Sequence, residues 1–166
     1  AQFTSTLAEV VAAKPRLVAI LEEVRDPGNA GTILRAADAA GADAVIFSGK
    51  SVDPYNPKVV RSTTGSMFHV PIVSGVDLDE VVAAMHDAGL TVIAADVKGD
   101  DLLEHRAVLQ LPTAWLFGNE AHGLDDAQLA KADRALRLPI FGRAESLNLA
   151  TAASVCLYES AFAQRG

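Results

Sequence analysis

A single cysteine leaves Cys156 nothing to pair with inside the chain, which excludes a disulfide-stapled secreted scaffold and suits a reducing compartment. Its apolar helical surroundings read as those of a small core residue. No apolar run approaches the roughly 20 residues of a membrane-spanning helix, and no charged segment with an apolar run behind it opens the sequence. The expectation is a soluble, cytoplasmic protein without membrane contact. Also missing are GxGxxG after a strand, the GxxxxGK phosphate loop and paired CxxC motifs, which counts against an ordinary dinucleotide or ATP fold. His86 and His105 have no partner at metal-ligand spacing, so no metal is expected, and His69, ahead of Val70 and Pro71, reads as a core or rim residue.

Positive charge is short as well. With 14 Lys and Arg against 21 acids the net charge is −7, the wrong sign for a nucleic-acid partner, whose phosphates attract cations. The distribution is uneven, however. Residues 14–61 hold Lys14, Arg16, Arg25, Arg35, Lys50, Lys58 and Arg61 against six acids, whereas residues 77–101 carry seven acids against Lys98 alone. A basic face opposite an acidic one would fit these counts, and so would a mixed solvated surface.

What is present is apolar residue in quantity, 50% of a 166-residue chain, enough for one domain to bury a full core. Short apolar runs alternate with amphipathic segments, which predicts an α/β domain with a mostly parallel sheet and helices on both faces. Ala1–Lys14 is read as an N-terminal helix or linker remnant, and residues 15–166 as the domain proper. Predicted strands cover Leu17–Leu21, Ala44–Phe47, Thr91–Ala95, Thr113–Phe117 and Arg134–Ile140. Predicted helices cover Thr32–Ala40, Lys58–Thr63, Leu78–Ala88 and Leu124–Lys131, with Asp26–Gly31 and Gly99–Leu111 as loops.

Three stretches place Gly and Asn after apolar runs. In LEEVRDPGNAGTILRAADAAG (Leu21–Gly41), Asn29, Thr32 and Arg35 are spaced by three and line one side of a helix, while Ile33, Leu34, Ala37 and Ala40 supply the buried side. An Arg35–Asp38 pair on an exposed face would account for the arginine without any function. In WLFGNEAHGL (Trp115–Leu124), Gly118, Asn119 and Glu120 follow a strand, at the end of a parallel sheet where ligands bind. There Gly118 is free to take φ > 0 and to admit a ligand close to the backbone. In LPIFGRAESLNLATAASVCLYE (Leu138–Glu159), Ser146 is the expected N-cap of a helix running to about Gln164. Ala150, Thr151, Ala152, Ala153 and Ser154 leave its first turns open to close approach, although an ordinary capped helix would look the same.

Together these stretches resemble, in order and over about Pro15–Gln164, the three signature motifs of the SpoU family of RNA ribose 2′-O-methyltransferases, in the SPOUT class. The resemblance implies a deep C-terminal trefoil knot, which no propensity reveals. It implies S-adenosylmethionine as cofactor, held by Leu116, Gly118, Asn119, Ile140, Ser146, Leu147 and Ala150. It also implies ribosomal or transfer RNA as substrate, with Arg35 and Arg61 binding RNA and with Asn29, Arg35, Glu120, Ser146 and Asn148 as the catalytic set. Arg35 occupies the position assigned to deprotonating the ribose, but a guanidinium is a difficult base. A role in binding phosphate and stabilising alkoxide suits it better, with Glu120 expected to position Arg35 or the ribose. A homodimer sharing Arg35 between subunits is implied, as is a small RNA-binding domain ahead of the catalytic one, so the chain is expected to be a minimal member or an excised catalytic domain. A silent RNA-binding module and a base methyltransferase are the rivals. The intact set weighs against the first, and the NxGxxxR and SLN patterns against the second.

Overall fold

A computed structural model describes residues 4–66 and 69–166; Ala1–Phe3 of the N-terminal stretch and Met67–Phe68 after the predicted Lys58–Thr63 helix lie outside the described residues. The chain runs α1 (Leu7–Ala12), β1 (Leu17–Glu22), α2 (Pro27–Ala40), β2 (Ala44–Ser48), α3 (Pro57–Thr63), β3 (Ile72–Val76), α4 (Leu78–Asp87), β4 (Thr91–Asp101), β5 (Thr113–Phe117), α5 (Asp126–Lys131), β6 (Arg134–Arg137) and α6 (Leu149–Arg165). Two 3-10 turns, Leu102–Glu104 and Arg106–Gln110, join β4 to β5.

The six strands form one sheet in the order β3-β2-β1-β5-β4-β6, and each ladder is parallel. A parallel sheet needs both faces covered. Along β1 the side chains alternate accordingly: Leu17, Ala19 and Leu21 join one core with α2, α3 and α6, while Val18 and Ile20 join another with α1 and α4. Trp115 and Phe117 stack at 6.2 Å between centroids in the first core. There the Trp115 indole N–H donates to Ser160 Oγ at 2.8 Å, which ties α6 to β5. Val10 of α1 is buried in the second core, and Ser5 N–H donates to Ile72 O at 2.8 Å, so the N-terminal segment packs on the sheet.

Several boundaries differ from the sequence expectation. Helix α2 starts at Pro27, not Thr32, because Asp26 caps it and proline suits the first helical position, so Asn29 and Gly31 sit in a helix rather than a loop. β4 continues to Asp101 through an irregularity after Ala95, because its distal half pairs again with β6; residues 99–101 are strand, not loop. β6 ends at Arg137, and Leu138–Ile140 leave the sheet.

β1 connects through α2 toward β2 on one side, and β5 connects through α5 across β4 to β6 on the other. The crevice beyond the carboxyl ends of β1 and β5 is therefore a topological switch point, the place where open parallel sheets hold ligands. After β6, at the sheet edge, the chain returns as α6 to pack on α2, β1 and β5.

Candidate active site at the β1–β5 switch point

Both signature loops at this crevice are tied together by side chains. Asn119 donates through Nδ2 to Glu23 O at 2.9 Å, while its Oδ1 accepts from the Ala121 and His122 amides at 2.8 and 3.3 Å. The Glu120 carboxylate accepts from the Arg25 N–H at 3.0 and 3.3 Å. Gln128 Nε2 donates to Glu22 at 2.9 Å and to Glu23 at 3.3 Å, and buried Ser48 donates to Glu22 Oε1 at 2.8 Å. Glu23 takes a left-handed φ of 56°, a conformation uncommon for a residue with a Cβ and maintained only where its surroundings determine it. Asn119, Glu120 and Gln128 supply those surroundings.

This clamp fixes where α2 begins. Asp26 Oδ2 accepts from Asn29 N–H at 2.8 Å, and Asn29 then meets the third motif: Asn148 Nδ2 donates to Asn29 Oδ1 at 3.3 Å. Asn148, not Ser146, is the N-cap of α6, accepting from the Ala150 and Thr151 amides at 2.9 and 3.2 Å. The reason is register: Leu149 is the first residue with helical geometry, which leaves Ser146 two positions too early to reach those amides. Ala150 and Ala153 are buried in the core that α6 shares with α2.

Arg35 is exposed on the stripe shared with Asn29 and Thr32. Its guanidinium makes no hydrogen bond or ion pair among the described residues, because Asp38 is engaged by His69 Nδ1 at 3.1 Å instead. Neither does Glu120 reach Arg35; its partner is the Arg25 backbone. The structure thus brings together Asn29 with Asn148, and Asn119 and Glu120 with the β1–α2 loop, while the side chains of Arg35, Arg61 and Ser146 have no partner among the described residues.

The loop Leu138–Leu147 carries the remaining expected cofactor residues. None of its backbone or side-chain polar groups hydrogen-bonds within the protein among the described residues. Ile140 and Leu147 expose 38% and 42% of their surface beside it. Leu116 is fully buried in β5, between β1 and β4. Gly118 does not take a positive φ; it is glycine because a Cβ there would lie 2.7 Å from Gly123 C and from Leu124 Cγ, whereas Gly123, at φ 68°, makes the turn. Cys156 is buried, and that burial pushes its thiol up to about 12, which keeps it an un-ionised core residue.

Gln128, Glu22 and Asp26 were not singled out from sequence. Asp125 followed three residues later by Gln128 is a legible capping box, and Asp-Pro a legible helix start. The reach of Gln128 across to β1 has no local signal.

Residues 16–158 match the SpoU rRNA Methylase family, and the chain belongs to it. Over 147 residues it is 39% identical to the 23S rRNA (guanosine(2553)-2′-O)-methyltransferase RlmP of Bacillus subtilis, which takes in 88% of this chain and 58% of that one. The solved structure of the SpoU methyltransferase AviRb of Streptomyces viridochromogenes, in complex with the cofactor AdoMet, aligns with a TM-score of 0.85 at 36% identity, covering 98% of this chain and 65% of that one. An AdoMet-bound rRNA methyltransferase from Sinorhizobium meliloti gives the same TM-score at 37% identity, covering 96% and 60%. The chain spans about half the length of the curated relatives it matches, 58% and 50% for two of them.

Proposed function

We propose that this chain transfers a methyl group from S-adenosylmethionine to a ribose 2′-hydroxyl of ribosomal or transfer RNA, in the cytoplasm and as a homodimer, with residues 15–166 as the catalytic domain. The observation that carries the reading is the Asn29–Asn148 contact at the switch point, with Arg35 on the same helix stripe unpaired among the described residues. The names of the relatives and the cofactor held by two solved neighbours support the chemistry.

The loop Leu138–Leu147 fits such a cofactor in kind: unpaired main-chain groups suit the edge of an adenine, and Ile140 and Leu147 suit its face. Main-chain groups of Leu116, Gly118 and Ala150, with Asn119 and Ser146, complete the assignment. When bound, S-adenosylmethionine supplies an electrophilic methyl group on a sulfonium. The chain's own task is to orient a poorly nucleophilic hydroxyl and to stabilise the charge left when its proton departs. The Arg35 guanidinium binds the neighbouring phosphate and stabilises the developing alkoxide. Asn29 and Ser146 orient the ribose by hydrogen bonds, Asn148 holds Asn29, and Glu120 acts as a positioning residue through the Arg25 backbone. Arg61 contacts RNA.

Val155, Tyr158 and Phe162 form an exposed apolar stripe along α6, 40%, 37% and 64% exposed, with the two rings 5.6 Å apart. A second copy laid on this stripe in a two-fold arrangement would bury it and bring in the partner's Arg35. The return of the chain from β6 at the sheet edge to α6 over its middle supports the deep trefoil knot.

The test is Arg35→Ala. We expect calorimetric binding of S-adenosylmethionine to persist and methyl transfer to ribosomal RNA to fall at least about 100-fold. Transfer at the wild-type rate would remove Arg35 from the mechanism.

A further inference from the structure

A cleft of about 470 Å³ lies between the start of α2 and α3, lined by Asp26, Pro27, Gly28, Lys58, Arg61 and Ser62. Lys58 and Arg61 stand one turn apart on α3, both exposed. Neither side chain makes a hydrogen bond or ion pair among the described residues. Asp26, the acid in the same cleft, is engaged as the cap of α2 through the Asn29 amide at 2.8 Å and pairs with neither cation. Two cations without a partner among the described residues line one surface beside α2, and a phosphate is the ligand they suit.

From this cleft we infer a second point of attachment for the substrate: it binds a phosphodiester of the RNA, and Lys58 is a phosphate-binding residue acting with Arg61. The inference rests on the RNA reading above and extends it to a residue and a register. α3 touches α2 at Gly31, where a Cβ would lie 2.2 Å from Ser62 Cβ and 3.0 Å from Val59 O. The helix that holds the phosphate is therefore in backbone contact with the helix that carries Asn29 and Arg35. Gly28 of the cleft lining directly precedes Asn29. A phosphate seated here sets a fixed distance to the ribose at Asn29, so the cleft selects which nucleotide of a bound strand reaches the reacting position.

The experiment is fluorescence anisotropy of a labelled single-stranded oligouridylate over a salt series, with wild type, Lys58→Ala, Arg61→Ala and Lys58→Arg, beside calorimetry with S-adenosylmethionine. Each alanine variant is expected to reduce the slope of log affinity against log salt by about 0.7. Lys58→Arg restores the slope, and cofactor affinity stays at the wild-type value in all four. Unchanged slope and affinity in Lys58→Ala, with wild type binding both RNA and cofactor, overturns the inference and leaves the function standing. Binding of inorganic phosphate that Lys58→Ala abolishes, with RNA affinity unmoved, assigns the cleft to a small phosphate and overturns it too. A wild type that binds neither RNA nor cofactor defeats the functional reading itself.

Discussion

Asn148 commits its carboxamide oxygen to the first amides of α6 and its nitrogen to Asn29, so one side chain both starts the helix and joins two motifs. Substitution can separate these roles. We expect Asn148→Asp to keep the cap and the melting temperature, and Asn148→Ala to lose about 1 kcal/mol, or roughly 2–4 °C; both should lose methyl transfer, because neither donates to Asn29. Equal activity in wild type and Asn148→Asp would show that the Asn29 contact is dispensable. The choice between Ser146 and Asn148 was not legible in the sequence, since both are good caps and only the helix start decides between them. A second residue-scale effect concerns Asp38. The hydrogen bond from His69 holds its carboxyl below the usual value, with Ser66 adding to the effect. A lowered folded-state pKa contributes stability that is present above the unfolded value of about 4 and is lost as pH falls through the folded one. Asp38→Asn is thus expected to melt slightly below wild type near pH 7 and level with it once the pH has fallen through the lowered folded-state value; a gap that persists in stronger acid would assign the stability to packing.

Among the elements, β1, β5 and the buried side of α2 were legible because each is an apolar run with its own period and end signals. Fully buried β5 matches its predicted span of Thr113–Phe117. The second half of β4 was not legible, because its sequence from Asp96 to Asp101 is polar and becomes strand only by pairing with β6. The loop after β5 shows a similar limit. From sequence Gly118 reads as free to take φ > 0, yet it is a close-contact position without positive φ. We expect Gly118→Ala to cost about 1–3 kcal/mol in thermal unfolding through its clash with Gly123 and Leu124. Because Asn119 and Glu120 ride on the same loop and clamp Glu23 and Arg25, methyl transfer should fall with it. A wild-type melt would mean that the loop yields at little cost.

At the scale of the molecule, the fold class was legible from alternation of strands and helices, whereas the proposed knot and dimer have no local signature and rest on resemblance. The apolar stripe Val155, Tyr158 and Phe162 gives the proposed dimer a physical motive: three sizeable apolar side chains on one helix face stay exposed in a single chain. Phe162→Asp is expected to yield a folded monomer by light scattering and to abolish methyl transfer, since the site would lose the partner's Arg35. A dimer of unchanged mass would place the interface elsewhere. The measurement that bears most directly on the function is alkaline digestion of ribosomal RNA after incubation with this chain and S-adenosylmethionine labelled in its methyl group. A methyl on O2′ blocks the attack that cleaves the adjacent linkage. We therefore expect the label in alkali-resistant dinucleotides, and none in a reaction with Arg35→Ala. Label released entirely in mononucleotides would place the methyl on a base and contradict ribose methylation at this site.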